Sequence, residues 1–262
     1  MGGIVKINSV FKPLYTSKKR YFLITGGRGS LKSSTVHDFI ARLTYEAGHG
    51  ILFTRYTMAS AEKSIIPEFK VALERLDAVD DFYITKNKVT NRQSGSFILF
   101  SGIKTSSGDQ TANLKSISGI TTWVIEEGED FTDEKAFDQI DDSIRSTLRP
   151  NRILWVQNPT TKEHFIYKRF IEPSNKQKTI SDFQVTVSNH EDVEHIHTTY
   201  EIAEKLGYLS KGWLKKAKDS FKKAYDVENK YKTHYYFNYI GGWLEQAEGV
   251  IFGDWSEGKT DS

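Results

Sequence analysis

The chain has 262 residues, 38% hydrophobic and 27% charged, with a formal net charge of +2, which excludes a disordered chain and leaves room for one large core plus a smaller appendage. It contains no cysteine, which excludes disulfides and thiolate metal sites. There is no apolar run long enough to span a bilayer and no signal-peptide core in Met1-Gly2-Gly3-Ile4-Val5-Lys6, so a cytoplasmic protein is expected.

Residues 4–20 form an entry segment ending in the basic cluster Lys18-Lys19-Arg20. Its Phe11 and Tyr15 either flank a purine base or pack a terminal arm on the core. Tyr21-Phe22-Leu23-Ile24 reads as a short buried strand, and Val36, Phe39, Ile40 and Leu43 are spaced for one face of a helix. Between them lies Thr25-Gly26-Gly27-Arg28-Gly29-Ser30-Leu31-Lys32-Ser33-Ser34. A strand, a Gly-rich turn and a helix that opens with Lys and Ser make a phosphate-binding loop. Glycines let backbone N–H groups turn toward a triphosphate, and the helix N-terminus adds its positive dipole end. Gly26, Gly27, Arg28, Gly29, Ser30, Leu31, Lys32, Ser33 and Ser34 are therefore the candidate ATP-binding residues. Lys32 is expected on the β- and γ-phosphates and the Ser33 hydroxyl on Mg²⁺. Leu31 stands where the usual pattern has its second glycine. Either Leu31 adopts a positive φ, or another residue of the loop carries the unusual dihedral.

Gly48-His49-Gly50 stops the helix, and Ile51–Arg55 reads as a second buried strand. Residues 59–76 have helical apolar spacing despite Pro67. Residues 82–102 alternate around Asn91 and Ser94-Gly95 and predict a β-hairpin, and 106–118 predict a loop. Thr121-Thr122-Trp123-Val124-Ile125 is a buried strand that delivers Glu126 and Glu127 to the crevice where ligands of open α/β sheets bind. Glu126 is expected to hold the Mg²⁺ water shell and Glu127 to act as general base on the attacking water. These acids begin a run of nine acids and one lysine over 126–142. A helix is expected over 133–147 on Phe137, Ile140, Ile144 and Leu148. Arg152–Gln157 is a strand whose tip, Asn158, is placed to sense the γ-phosphate or the water. A helix near 164–170 and a strand at 183–187 follow.

The first 189 residues thus read as an α/β core, a mainly parallel sheet with helices on both faces, and 190–262 as a smaller, mainly helical appendage. The appendage holds nine lysines against three acids over 205–232. Lys211, Lys215, Lys218 and Lys222 share one helical face, and Trp213, Leu214, Ala217 and Phe221 the opposite one. His190, His195 and His197 read as structural or solvated histidines in preference to a metal site.

The chain resembles the large terminase subunit of tailed bacteriophages, in its N-terminal ATPase half. The resemblance rests on Gly26–Ser30 with Lys32-Ser33, Phe97–Gly102, Lys115-Ser116, Trp123–Glu129, Asn158-Pro159, Tyr239–Trp243 and Gly249–Phe252, in family order. It implies a P-loop NTPase fold and an ATP- and Mg²⁺-dependent motor that drives double-stranded DNA into a procapsid. It further implies a homo-oligomeric ring on the portal protein, a small terminase subunit as partner, and the cytoplasm of the infected host as location. By the same resemblance Arg28 contacts the γ-phosphate and couples its loss to movement, Asn158 belongs to a coupling motif, and Lys115 acts on a neighbour's ATP, with Arg145 and Arg149 as rivals. The family's nuclease is not expected in this chain, which ends at Ser262 where that domain would begin, as in a shortened or naturally split protein. The rival reading is a nucleotide-gated DNA- or partner-binding switch with little hydrolysis, since Leu31 and Glu126 depart from the commonest motifs. A helicase-like ATPase is a more distant alternative.

Overall fold

A computed structural model describes residues 7–57, 65–105, 108–109, 117–226 and 229–245. After a short helix α1 (Pro13–Thr16), β1 (Tyr21–Gly26) leads through the Gly-rich loop into α2 (Lys32–Leu43). Then come β2 (Gly50–Thr57), α3 (Ile66–Arg75), β3 (Phe82–Ile84), β4 (Lys88–Asn91), β5 (Phe97–Thr105), β6 (Gly108–Asp109) and β7 (Ile120–Ile125). The order continues with α4 (Glu134–Asp141), β8 (Arg152–Gln157), α5 (Phe165–Phe170), β9 (Asn175–Ile180), β10 (Phe183–Ser188) and β11 (Val193–Thr198). The last elements are α6 (Tyr200–Lys205), α7 (Lys211–Asp226), α8 (Asn229–Tyr235) and a π-helix, Tyr236–Ile240.

The main sheet runs β11-β1-β8-β7-β2-β5-β4-β3, with β6 paired to β5. From β11 to β5 every neighbouring pair is parallel, whereas β4 and β3 add antiparallel at one edge. Each parallel strand ends at the same edge of the sheet, so the segments after β1, β2, β7 and β8 meet there. One face is covered by α2 and α3 through Val36, Phe39, Ile40, Phe69 and Leu73. The other is covered by α4 and α5 through Phe137, Ile140, Ile166 and Phe170. Each such side chain taken fully from water contributes about 1.5–3 kcal/mol.

Four expectations are corrected. The segment 82–102 forms two successive hairpins, and β5, the last strand, crosses into the parallel region beside β2. The helix expected over 133–147 stops at Asp141, and Leu148 is 67% exposed. At its end Arg20 donates to the carbonyls of Asp141 (3.0 Å) and, just beyond the helix, Ile144 (3.2 Å). The strand at Phe183–Ser188 pairs antiparallel with β9, outside the main sheet. Finally, the sheet runs past the boundary drawn at 189/190: Val193–Thr198 pairs parallel with β1. The helices α6 to α8 then form a third core with the β10 hairpin, around Phe183, Val185, Tyr200, Ala217 and Tyr235. The mainly helical C-terminal unit thus packs on the β9–β10 hairpin. Pro67, in contrast, sits in the first turn of α3, where no helical N–H is lost; residues 59–64 of that expected helix lie outside the described residues.

Candidate nucleotide site

The site grows from the ends of β1, β7 and β8. Because β8 lies between β1 and β7, Asn158 stands between the phosphate loop and the acids of β7. Together they line a cleft of about 300 Å³ that includes residues 27–34, Arg55, Glu126, Glu127, Glu129 and Asn158.

The loop backbone is that of an anion cradle. Gly26 has φ +148°, and a Cβ there would stand 1.9 Å from the Thr198 carbonyl oxygen, so only glycine fits. Leu31 adopts φ 63°, ψ 13°, the left-handed conformation that a glycine supplies in the usual pattern. Its side chain packs on the core beneath α2. Lys32 is 8% exposed, and its Nζ donates to the carbonyls of Gly26 (2.7 Å) and Gly27 (2.9 Å), to Ser30 Oγ (3.0 Å) and to Asn158 Oδ1 (3.1 Å). Burial lowers its pKa to about 8, against the pull of Glu129 and Glu126. Ser33 and Ser34 line the cleft, and Arg28 is exposed at its rim.

Glu126 is 2% exposed. Its Oε2 accepts from Arg55 Nη2 (3.1 Å) and Nε (3.3 Å). Its Oε1 has no hydrogen-bond partner among the described residues, and neither does His37 Nε2, 3.9 Å away. A buried carboxylate oxygen without a donor suits a cation or its water shell. His37, Glu68 and Glu126 also form a group whose ligand atoms lie within 4.8 Å of one another. Ser33, Glu126 and the acid chemistry here therefore fit Mg²⁺.

Glu127 sits at φ 52°, ψ 46°, a second left-handed residue, which turns the chain sharply after β7 and leaves its carboxylate half exposed. Arg55 Nη1 pairs with Glu127 Oε1 at 3.1 Å while its other nitrogens hold Glu126. Burial raises the Glu127 pKa, Arg55 opposes this, and Glu126 and Asp130 add to it. Asn158 is oriented unambiguously: Nδ2 donates to Glu129 Oε1 (2.9 Å), leaving Oδ1 to Lys32. Burial raises the Glu129 carboxyl pKa, against bonds from its backbone and from Asn158.

Sequence reasoning missed Arg55 and Glu129 as site residues. Arg55 carried a weak signal, a charge closing an apolar strand. Glu129 looked like one more member of an acidic run. Lys115 lies outside the described residues. Arg149 is at the opposite edge of the sheet, where it pairs with Glu46 (3.3 Å) and donates to the Ala47 carbonyl (2.8 Å); Arg145 is exposed. Phe11 is core and lines a smaller cleft behind Leu31 with Asn8 and Thr35, whereas Tyr15 packs edge-on against Phe39. His195 and His197 are hydrogen-bonded in β11, as structural histidines are.

The whole architecture has solved counterparts. The large terminase of a thermophilic bacteriophage superposes with a TM-score of 0.65 at 13% identity, over 92% of this chain and 54% of that one. The same terminase in complex with ATP-gamma-S gives 0.62 at 12% identity, over 91% and 53%. The large terminase ATPase domain of Thermus phage P74-26 gives 0.60 at 12% identity, over 91% and 94%. The chain thus spans about half the length of the first terminase and nearly all of the P74-26 domain. No curated protein matches. The family model for the phage terminase large subunit matches residues 18–237, and on that match the chain belongs to the phage terminase large subunit family.

Proposed function

We propose that the chain binds ATP with Mg²⁺ and hydrolyses it, as the ATPase part of a motor that moves double-stranded viral DNA into a procapsid. One observation carries the hydrolytic step: a buried lysine, two acids and an oriented amide converge on one cleft from three adjacent parallel strands. In this reading Lys32 leaves the carbonyls of Gly26 and Gly27 for the β- and γ-phosphates. Glu127 takes a proton from the attacking water as its oxygen bonds to the γ-phosphorus, and the bond to the β-phosphate oxygen breaks, releasing ADP. Asn158, held by Glu129, exchanges its contact with Lys32 for the γ-phosphate or the water. Ser33 and Glu126 would hold Mg²⁺, which when bound offsets the phosphate charge. Arg28 reaches the γ-phosphate from the rim.

The Arg55 pair supports a resting state with little turnover, because Glu127 engaged by a guanidinium is a poor base. Release of Glu127 from Arg55 is then the activating event, and the switch reading becomes the resting form of the enzyme. The family supplies the proposed partners: DNA, portal protein, small terminase subunit and other copies of the chain in a ring, in the host cytoplasm. No helix of the described residues is long and apolar enough to cross a membrane.

The test separates binding from chemistry. Lys32→Ala is expected to weaken ATP affinity by about 100-fold or more. Glu127→Gln is expected to bind within about threefold of the parent while kcat falls by about 100-fold or more. Calorimetry and phosphate release measure the two. Full turnover by Glu127→Gln removes the base assignment.

A further inference from the structure

A chain of four hydrogen bonds, buried at its Thr25 and His197 end, links β10, β11 and β1 to the end of the π-helix, and its direction is set at both ends. The Ser188 N–H donates to His195 Nδ1 at 2.7 Å. A backbone N–H only donates, so this Nδ1 is bare and the neutral ring carries its proton on Nε2. That Nε2–H meets Thr25 Oγ1 at 2.8 Å. At the other end His197 Nε2 lies 2.9 Å from the Ile240 carbonyl oxygen, which only accepts, so His197 also carries its proton on Nε2. Its bare Nδ1, 2.8 Å from Thr25 Oγ1, receives the threonine hydroxyl proton. The two ends, taken separately, give the Thr25 hydroxyl the same direction.

Both rings stay neutral. Burial holds His195 well below the ordinary imidazole value and His197 at about 3. Lys176 and Lys178 of β9 disfavour a cation at His195, as does His197 itself. Lys178 and Lys32 do the same at His197, opposed by the Ile240 carbonyl.

Thr25, His195 and His197 lie outside the nucleotide cleft, yet their chain ends where the C-terminal helices rest on the phosphate loop. Thr25 immediately precedes Gly26. The Arg28 N–H donates to the Asn238 carbonyl (2.8 Å), and the Thr198 hydroxyl to the Ser30 carbonyl (3.2 Å). Gly241, at φ +77°, lies so near that a Cβ would stand 2.3 Å from the Gly26 carbonyl carbon and the Gly27 nitrogen. The Asn238 and Gly241 contacts come from a π-helix and its C-cap, a form that recurs at functional sites. The Gly26 and Gly27 carbonyls that now hold Lys32 belong to the same peptides, so a phosphate that draws Lys32 away acts at the contact with the π-turn.

We propose that Thr25, His195 and His197 are positioning residues that pin the π-turn to the strand bearing the phosphate loop. Nucleotide binding then moves the C-terminal helices with the loop instead of being dissipated where they touch. The proposal rests on the nucleotide reading above.

The full chain tests it in two ways. Imidazole ¹⁵N–¹H correlation spectra between pH 6 and 8 are expected to show two neutral rings protonated on Nε2, unchanged by pH. Trp213 supplies the second readout, since its ring lies about where a Gly29 Cβ would touch it, at 2.9 Å. Its fluorescence response to ATPγS is identified by its loss in Trp213→Phe. Thr25→Val is expected to bind ATPγS within about threefold of the parent, to lose the Trp213 response, and to lose about tenfold in kcat at little changed KM. Thr25→Ser restores both. His197→Gln, which keeps a donor near Nε2 for Ile240 but has no acceptor at the Nδ1 position for Thr25, repeats Thr25→Val and keeps the test independent of how valine is tolerated at position 25. An Nδ1-protonated or cationic ring, an unchanged response and kcat in Thr25→Val, or equal loss in Thr25→Val and Thr25→Ser overturns the proposal. A parent chain that binds no ATPγS overturns the nucleotide reading and the proposal with it; parent binding with an unaffected Thr25→Val overturns the proposal alone.

Discussion

At the level of single residues, two left-handed non-glycine positions frame the cleft, Leu31 before Lys32 and Glu127 after Glu126. A leucine at φ 63° costs about 1–2 kcal/mol in backbone strain, and its half-buried side chain returns a similar amount in packing. Leu31→Gly is therefore expected to change stability by no more than about 1 kcal/mol, because the two effects offset. Leu31→Val keeps more apolar surface but puts a β-branched residue at positive φ, and is expected to cost about 2 kcal/mol. Urea unfolding of the two variants should thus rank glycine above valine, and the opposite order would remove the strain argument.

Among the elements, α4 and β11 show how tertiary partners decide what local pattern leaves open. The apolar spacing of 137–148 continues past Asp141, but the helix stops there, where Arg20 bonds the Asp141 carbonyl and pairs with the Asp141 side chain, which also accepts from Tyr21 Oη (2.7 Å). Asp141 is 6% exposed, so losing the arginine leaves a buried carboxylate with one neutral donor. Arg20→Met is expected to destabilise by about 2–3 kcal/mol, measured by denaturant unfolding. On α2, burial holds His37 at about 4, with Arg55 and Arg75 acting in the same sense and Glu126 against it. Its folded pKa lies below the unfolded value of about 6.5, so the unfolded chain binds the extra proton between them. That part of the stability is complete above pH 6.5 and is lost as pH falls toward 4, at up to about 1.4 kcal/mol per pH unit. His37→Gln should flatten the stability–pH curve in that window by up to one proton, read from urea midpoints at pH 5 and 7.

For the molecule as a whole, the lysine-rich helix α7 turns Trp213, Leu214, Ala217 and Phe221 toward the third core, as its spacing predicts. Lys218 is drawn to Glu204 at 2.6 Å, so the lysine face is not uniform. Lys215, Lys216 and Lys223 instead line a groove with Tyr231, His234 and Tyr239 against α8. The proposed motor function calls for a grip on DNA that does not read its sequence, that is, for phosphate contacts alone. Replacing Lys215, Lys216 and Lys223 with Gln is expected to lower DNA affinity and to reduce the log–log salt slope by roughly one unit for each phosphate no longer neutralised. An unchanged slope would leave these lysines as a solvated surface.

The chemistry at each strand end is written in consecutive residues. Glycines, Lys32 and Ser33 after one apolar strand, two acids after another and an amide after a third are legible because each motif is continuous in the chain. The same stretch leaves open whether Leu31 or a loop glycine carries the positive φ, and the folded loop gives it to both Leu31 and Gly29. Which strands become neighbours is settled by packing instead, and with it that β8 sets Asn158 between Lys32 and the acids, and that β2 sets Arg55 beside Glu126 and Glu127. Packing also makes strands of Asn175–Ile180 and Val193–Thr198, whose polar composition carries no alternating apolar signal. Asn175–Ile180 is ordered by its hairpin neighbour β10, whereas Val193–Thr198 takes its order from a partner remote in sequence, β1 with the Thr25 hydroxyl, and a pairing energy of that kind is written in no local stretch of chain.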